Sequence, residues 1–234
     1  MARPGKEVNG MTLIELLAVI GIIAVLAGIS MPIISSMTKQ SKITACGQNL
    51  RQIGAATSLY LADNQDTYMW AADPVEIKFI DSWNGELSRF ADVIRQMPTF
   101  RDALFQYVKS PNIFSCPLDN GSAWYPTLEN PPANRPSDFA AVGSSYCYNT
   151  ILGIRSYRLS TVSQPSQVFV SADSFGHWHG NGRELTVERF YSEGSAASES
   201  FSRNVLFADL HLRAMDENQF KTVGSSSFDP FYKD

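Results

Sequence analysis

The clearest pattern in the chain is a long, uncharged and apolar run close to its start. No charged residue occurs from position 16 to position 38, and residues 16–34 are almost wholly apolar. A helix needs about 20 such residues to cross the hydrocarbon core of a membrane. A helix that buries one face in a soluble core is rarely apolar on every side for this length. The run therefore predicts one transmembrane helix, over residues 11–36.

A different periodicity follows this run. Apolar residues recur every three or four positions, which predicts an amphipathic continuation of the helix over residues 37–62. The positions are Ile43, Cys46, Leu50, Ile53, Thr57 and Tyr60. Asp63 and Asn64 end the pattern.

The remainder, residues 63–234, is rich in turn signals and predicts a globular domain. Residues 90–108 have a further helical pattern, which Pro98 is expected to divide. Short apolar runs at 167–171, 204–208 and 210–213 predict strands of a small antiparallel sheet. The expected fold class is α+β, with a long N-terminal helix that is membrane-spanning in its first half and packed on this sheet.

Composition narrows the function. The net charge of -4 and the scattered Lys and Arg residues give no basic surface for nucleic acid. The three cysteines, Cys46, Cys116 and Cys147, lack the paired spacing of a zinc site and allow one intrachain disulfide at most. Their positions alone do not identify which pair would form it.

Glu15 is the one charged residue at the start of the apolar run. A carboxylate there costs up to about 3 kcal/mol of membrane insertion, so it calls for a compensating partner. Cleavage between Gly10 and Met11 would create a positive amine on Met11, a few residues away. In a filament, the amine of an incoming subunit could neutralise Glu15 of its neighbour and set the register of assembly.

An ordinary secretory signal peptide is the alternative interpretation of the same segment. It would have a basic start at Arg3 and Lys6 and a small-residue cleavage site near Ala27, and it would release a secreted binding protein. Glu15 offers nothing to such a signal. The charges flanking the run do not decide its orientation, because Lys39 and Lys42 match the two basic residues before it.

Residues 10–17 read G-M-T-L-I-E-L-L and resemble the class III signal of type IV pilins and type II secretion pseudopilins, with Met11 in place of the usual Phe. The resemblance implies that prepilin peptidase removes the leader, residues 1–10, and that Met11 is methylated. It also implies a helix bend at Pro32, where such pilins carry a proline.

The same resemblance implies a location and partners. The protein would be a single-pass protein of the bacterial inner membrane, with its N-terminus cytoplasmic and its globular domain periplasmic or extracytoplasmic. Its partners would be prepilin peptidase, other pilin-like subunits in a homo- or hetero-polymer, an inner-membrane assembly platform and membrane lipid.

Several short sequence motifs farther along the chain resemble those of a prepilin-type subgroup with a processing-associated H-x9-D-G motif. They lie at residues 46–68, 114–117, 145–149, 172–174 and 204–211. The chain departs from the H-x9-D-G motif itself, because Glu199 replaces its His and Leu210 replaces the Gly after Asp209. Leu is costly in a tight turn that needs a positive φ, so we expect a wider turn. The resemblance favours Cys46 with Cys116 as a disulfide; a reduced, buried pair is the alternative.

A metal site is the remaining chemical possibility. Its candidate ligands are Asp173, His177, His179 and Asp209, with Glu199 and His211 near them in the sequence. On a strand, His177 and His179 would present both imidazoles to one face. This set would support a membrane-anchored metal-dependent enzyme. The resemblance would suggest calcium instead, although no EF-hand-like acidic run is present.

None of the common catalytic motifs occurs in the chain. We therefore expect a structural subunit of a type II secretion pseudopilus or type IV pilus-like fibre, without an enzymatic activity or a cofactor. The secreted binding protein and the metal-dependent enzyme remain the alternatives.

Overall fold

The computed structural model describes residues 12–82, 86–121, 136–174, 178–180 and 201–227. Its contacts divide the chain into two units, residues 1–41 and residues 42–234. The α-helices are α1 (Leu13–Asp63), α2 (Pro74–Phe79), α3 (Ala91–Ile94), α4 (Phe100–Leu104), α5 (Asp138–Val142), α6 (Thr150–Ile154) and α7 (Glu217–Ser227). The strands are β1 (Tyr146–Tyr148), β2 (Phe169–Asp173), β3 (Ser202–Phe207) and β4 (Leu212–Asp216).

The described part of the first unit, residues 12–41, contains the beginning of α1. Its large apolar side chains are exposed on every side of the helix, as a run without polar positions requires. Pro32 lies inside the helix. This part of the chain has no core of its own among the described residues.

The second unit contains the amphipathic part of α1. Cys46, Leu50, Ile53 and Thr57 are buried there, which confirms the face that the sequence periodicity predicts. Gly54 lies on this face, and a Cβ atom at its position would stand 3.1 Å from Leu206 of β3. The absence of a side chain at Gly54 therefore lets the helix approach the sheet closely.

The sheet has four strands in the order β1-β2-β3-β4, and every neighbouring pair is antiparallel. The predicted α+β class and the long helix packed on a small antiparallel sheet are confirmed. Strand β1 was not predicted because it has only three residues. Strand β2 begins two residues later than predicted, because Pro165–Gln167 forms a 3-10 turn before it.

Each face of the sheet packs against a different helix. Leu206 of β3 belongs to the core that also contains the buried face of α1. Its neighbours Val205 and Phe207 point to the other face and belong to a smaller cluster, against which Phe220 of α7 packs. Alternate residues of one strand thus contribute to two apolar layers.

The predicted helix over residues 90–108 is divided as expected. Helix α3 ends before Pro98 and α4 begins after it. The hydroxyl of Thr99 accepts the N–H of Asp102 at 3.1 Å and caps the second piece. Only four and five residues are α-helical, so these pieces are shorter than the apolar pattern predicts.

Candidate functional site

The apolar helix begins with a reciprocal cap formed by Thr12 and Glu15. The backbone N–H of Thr12 donates to Glu15 Oε2 at 2.8 Å, and its hydroxyl donates to the same oxygen at 2.9 Å. The N–H of Glu15 donates back to Thr12 Oγ1 at 3.4 Å. This is a capping box, which satisfies donors that the helix itself leaves unpaired. Glu15 therefore has a local partner besides the amine that the sequence predicts for it.

Both hydrogen bonds that Glu15 accepts use Oε2. Within residues 12–41 the structure gives Oε1 no donor, so that oxygen can accept from a group outside this part of the chain. Gly10 and Met11 lie outside the described residues, and their cleavage and methylation stay predictions. The cap has a recognisable sequence signature, T-x-x-E before an apolar run, which predicts a local partner for Glu15 as well as a charged one.

Beyond the cap, α1 presents a belt of exposed apolar side chains. They are Leu13, Ile14, Leu16, Leu17, Val19, Ile20, Ile22, Ile23, Val25, Leu26, Ile29, Met31, Ile33, Ile34 and Met37. The helix is long and apolar enough to cross a membrane, and none of its most apolar stretch is buried in the structure.

Two hydroxyl groups in this part of α1 bond within the helix. The hydroxyls of Ser30 and Thr38 donate to the carbonyls of Leu26 and Ile34, both at 2.8 Å. Pro32 has no N–H to offer Gly28, four residues earlier. The helix continues through Pro32, and the expected bend there stays a prediction.

A second candidate site lies in the core of the globular unit. Nδ1 of His179 is 2.9 Å from Oδ2 of Asp173, and both side chains are buried. The backbone N–H of Asn204 donates to the same carboxylate oxygen at 2.6 Å. The other oxygen, Oδ1, is buried and has no hydrogen-bond partner in the structure.

The disulfide of the protein lies beside this pair of Asp173 and His179. Cys46 on α1 and Cys116 form a disulfide with an S–S distance of 2.09 Å, the pairing that the resemblance favours. Nε2 of His179 lies 3.4 Å from Cys116 Sγ. Cys147 is a free thiol, and burial raises its pKa well above the ordinary thiol range.

The three described residues among the four proposed ligands do not form one group. Asp173 and His179 lie together in the core, whereas Asp209 pairs with His211 at 2.5 Å in the turn between β3 and β4. Burial acts to raise the pKa of Asp209, but the hydrogen bonds from His211 outweigh it and hold the pKa below its usual value. His177 and Glu199 lie outside the described residues.

Two details of the sequence interpretation are wrong. Residues 178–180 form a turn instead of a strand, so strand geometry does not orient His179. The turn after β3 is also not widened by Leu210. The N–H of Leu210 donates to the carbonyl of Phe207 at 2.9 Å, and the N–H of Phe207 donates to the carbonyl of His211 at 3.0 Å. This is a three-residue hairpin loop in which Leu210 itself adopts φ +68°.

A pair of buried carboxyl groups occurs at the start of α2. Asp73 caps the helix by accepting the N–H groups of Val75 and Glu76, and it also accepts the N–H of Tyr148 from β1. Burial raises the pKa of Asp73 to about 6, against the effect of these donors. Burial and then the charge of Asp73 raise the pKa of Glu76 well above its ordinary value, and Glu76 Oε2 has no hydrogen-bond partner in the structure.

These features define a class of protein. Among the described residues, α1 is the one helix long and apolar enough to cross a membrane, and its second part packs on a small antiparallel sheet, which fits a membrane-anchored single-pass protein. Residues 6–31 match the family model for the prokaryotic N-terminal methylation motif. The match indicates a prepilin-like protein, of the type IV pilin or pseudopilin kind.

The motif also implies processing by prepilin peptidase and assembly with other pilin-like subunits. Proteins with this motif are structural subunits and not enzymes. No curated protein and no solved structure matches the chain.

Proposed function

We propose that the chain is a structural subunit of a type II secretion pseudopilus or type IV pilus-like fibre. In this proposal it is cut between Gly10 and Met11, methylated on Met11, and held in the bacterial inner membrane until it assembles. The observation that carries the proposal is the methylation motif over residues 6–31, which overlaps the first part of α1, where the large apolar side chains are exposed. Such a surface requires lipid before assembly and neighbouring helices afterwards.

Glu15 has two separable roles in this proposal. Its contacts with Thr12 begin the helix, a task that a Gln side chain at the same position could also perform. Its negative charge, costly near lipid, is not needed for capping. We assign the charge to the contact between subunits, where Oε1 would accept the Met11 amine of an incoming subunit.

The experiment separates these two roles. Glu15→Gln keeps the cap and removes the charge, whereas Thr12→Ala removes the hydroxyl of the cap and keeps the charge. Both variants and the wild type are expressed in a host with prepilin peptidase and the assembly machinery. Mass spectrometry of the mature N-terminus reports processing, and the sheared, sedimented fibre fraction reports assembly.

We expect a methylated Met11 at the N-terminus of all three proteins. Glu15→Gln should lose most of its fibre fraction, while Thr12→Ala should keep most of it, because a lost cap costs only about 1 kcal/mol. Normal assembly of Glu15→Gln would contradict the register role. A mature protein that starts near Gly28 would instead indicate an ordinary signal peptide.

A further inference from the structure

The imidazole of His179 is held in an unusual position against the disulfide. Its Nδ1 faces Asp173, and a carboxylate oxygen at 2.9 Å places a proton on Nδ1. Nε2 faces Cys116 Sγ at 3.4 Å. A disulfide sulfur has no proton to donate and is a weak acceptor. In the oxidised protein Nε2 therefore has only a weak contact with this sulfur.

The same three side chains have the composition of a metal site once the disulfide is open. Sγ of Cys46, Sγ of Cys116 and a ring nitrogen of His179 lie within 4.8 Å of one another. In a tetrahedral zinc site, Zn–S bonds of about 2.3 Å and Zn–N bonds of about 2.0 Å place such atoms roughly 3.5–4 Å apart. Small side-chain movements would therefore suffice to close the site.

Asp173 supplies the outer support that such a site needs. Ligating imidazoles usually donate their second N–H to a carboxylate, which orients the ring and makes the ligating nitrogen more basic. Asp173 already accepts from His179, and the N–H of Asn204 holds the same oxygen in place at 2.6 Å. The ligand and its support are thus arranged while the disulfide is still closed.

We propose that the dithiol form of this centre binds one Zn²⁺ through Cys46 Sγ, Cys116 Sγ and His179 Nε2, with Asp173 as the positioning residue. Zinc binding and the disulfide are mutually exclusive states of the same side chains. A newly made chain has its cysteines as thiols and can reach the zinc state directly.

An oxidised chain reaches that state through a dithiol reductant. The S–S bond of Cys46 and Cys116 breaks and takes up two electrons and two protons, while the two S–H groups of the reductant become one disulfide. Zn²⁺ then forms two Zn–S bonds, and the two thiol protons pass to solvent. The three protein ligands leave one coordination position of a tetrahedral ion open.

Cys147 provides a matched control within the chain. It is a free thiol on β1, and the structure does not group it with the three proposed ligands. A Cys147→Ser variant removes a thiol and leaves the proposed site intact. Cys116→Ser removes a thiol and destroys the site.

The test uses the full chain in detergent micelles, reduced with a phosphine under anaerobic conditions and titrated with Co²⁺ as a spectroscopic probe. We expect one equivalent of Co²⁺ to give visible d–d bands and a thiolate-to-cobalt charge-transfer band, which one equivalent of Zn²⁺ then removes. Cys147→Ser should behave like the wild type. Cys116→Ser and His179→Ala should lose at least 100-fold in affinity, and Asp173→Asn about 10–100-fold.

A second measurement needs no variant that could misfold. Zn²⁺ should slow alkylation of Cys46 and Cys116 in the reduced wild type, as mapped by mass spectrometry, and leave Cys147 unchanged. The reoxidised protein should bind no Co²⁺. Absence of the cobalt bands in the reduced wild type, bands that persist in Cys116→Ser, or equal protection of all three cysteines would overturn the proposal.

Discussion

The two parts of helix α1 expose their apolar residues to very different extents. Leu26 in the first unit is 60% exposed, whereas Leu50 in the second unit is fully buried. The first part is apolar on every side, so no single face could be covered by a sheet. The second part concentrates its apolar residues on one face and can be covered by its own domain. Apolar content therefore indicates the need for burial, and periodicity indicates what can provide it.

The polar groups of the two units also differ, in how far along the sequence their hydrogen-bond partners lie. In the first unit the side chains of Ser30 and Thr38 bond to carbonyls of their own helix, four residues away. In the second unit Asp119 accepts from the hydroxyl of Ser145 and the N–H of Phe139, so it joins segments that are distant in sequence. The first unit is held together by local bonds, and the second depends on long-range ones.

Substitutions of three leucines in α1 should show this difference with the largest effect on stability. We expect Leu50→Ala to lower the free energy of unfolding of the globular unit by about 3 kcal/mol, because it leaves a cavity in a closed core. Leu26→Ala should leave that free energy unchanged, since its side chain contributes nothing to the core. The measurement is urea unfolding of the full chain in detergent micelles, followed by tryptophan fluorescence.

Leu59→Ala is the matched control within the second unit. Leu59 lies nine residues beyond Leu50 on the same helix but is 55% exposed, so its truncation should change stability by less than about 0.5 kcal/mol. Equal losses at Leu50 and Leu59 would show that the helix does not bury one face as the structure has it.

The same distinction explains what the sequence could and could not predict. The face of α1 and the break at Pro98 follow from local patterns, and the structure confirms both. The pairing of Cys46 with Cys116, separated by 70 positions, has no local signal, and it came from the resemblance instead of the spacing. The contact of His179 with Asp173 was also not predictable, because no local periodicity specifies which buried polar side chains meet in the core.

The pair of buried carboxyl groups at the start of α2 should give the next largest effect on stability. The pKa of Asp73 and that of Glu76 are both raised in the folded state, so folding favours their protonated forms. The stability that Asp73 contributes is full below about pH 4 and is lost as the pH rises through about 6. The raised pKa of Glu76 has the same sign, so ionising Glu76 at higher pH also destabilises the folded state. We expect Glu76→Gln to stabilise the protein more at pH 8 than at pH 4, where it should have little effect.

Urea midpoints of wild type and Glu76→Gln at the two pH values check this expectation. Asp92→Asn is the control, since it removes an exposed carboxylate that pairs with Arg95 at 2.8 Å, and exposed pairs contribute little. If Glu76→Gln shifts the midpoint equally at both pH values, the buried pair does not titrate as proposed.

The smallest effect concerns Leu210, where the chain departs from its prepilin-type resemblance. At φ +68° a leucine carries a steric cost of about 1–2 kcal/mol that glycine avoids. Its side chain also contributes packing, because a Cβ on Gly54 would lie 3.7 Å from Leu210 Cδ2. Replacing Leu210 by Gly alone would change both the strain and the packing. The sign of the resulting change in stability would therefore not separate the two.

Comparison of Leu210→Gly with Leu210→Ala separates strain from packing. Both variants lose the side chain, but only Ala keeps the strain of a positive φ. At an ordinary position Gly is less stable than Ala by about 0.5–1 kcal/mol, since it loses more conformational entropy on folding. The left-handed strain of about 1–2 kcal/mol acts against this difference, so we expect the Gly variant to equal or exceed the Ala variant, by up to about 1 kcal/mol in urea unfolding. An Ala variant more stable than the Gly variant by the ordinary difference would mean that the hairpin does not hold residue 210 in the left-handed region.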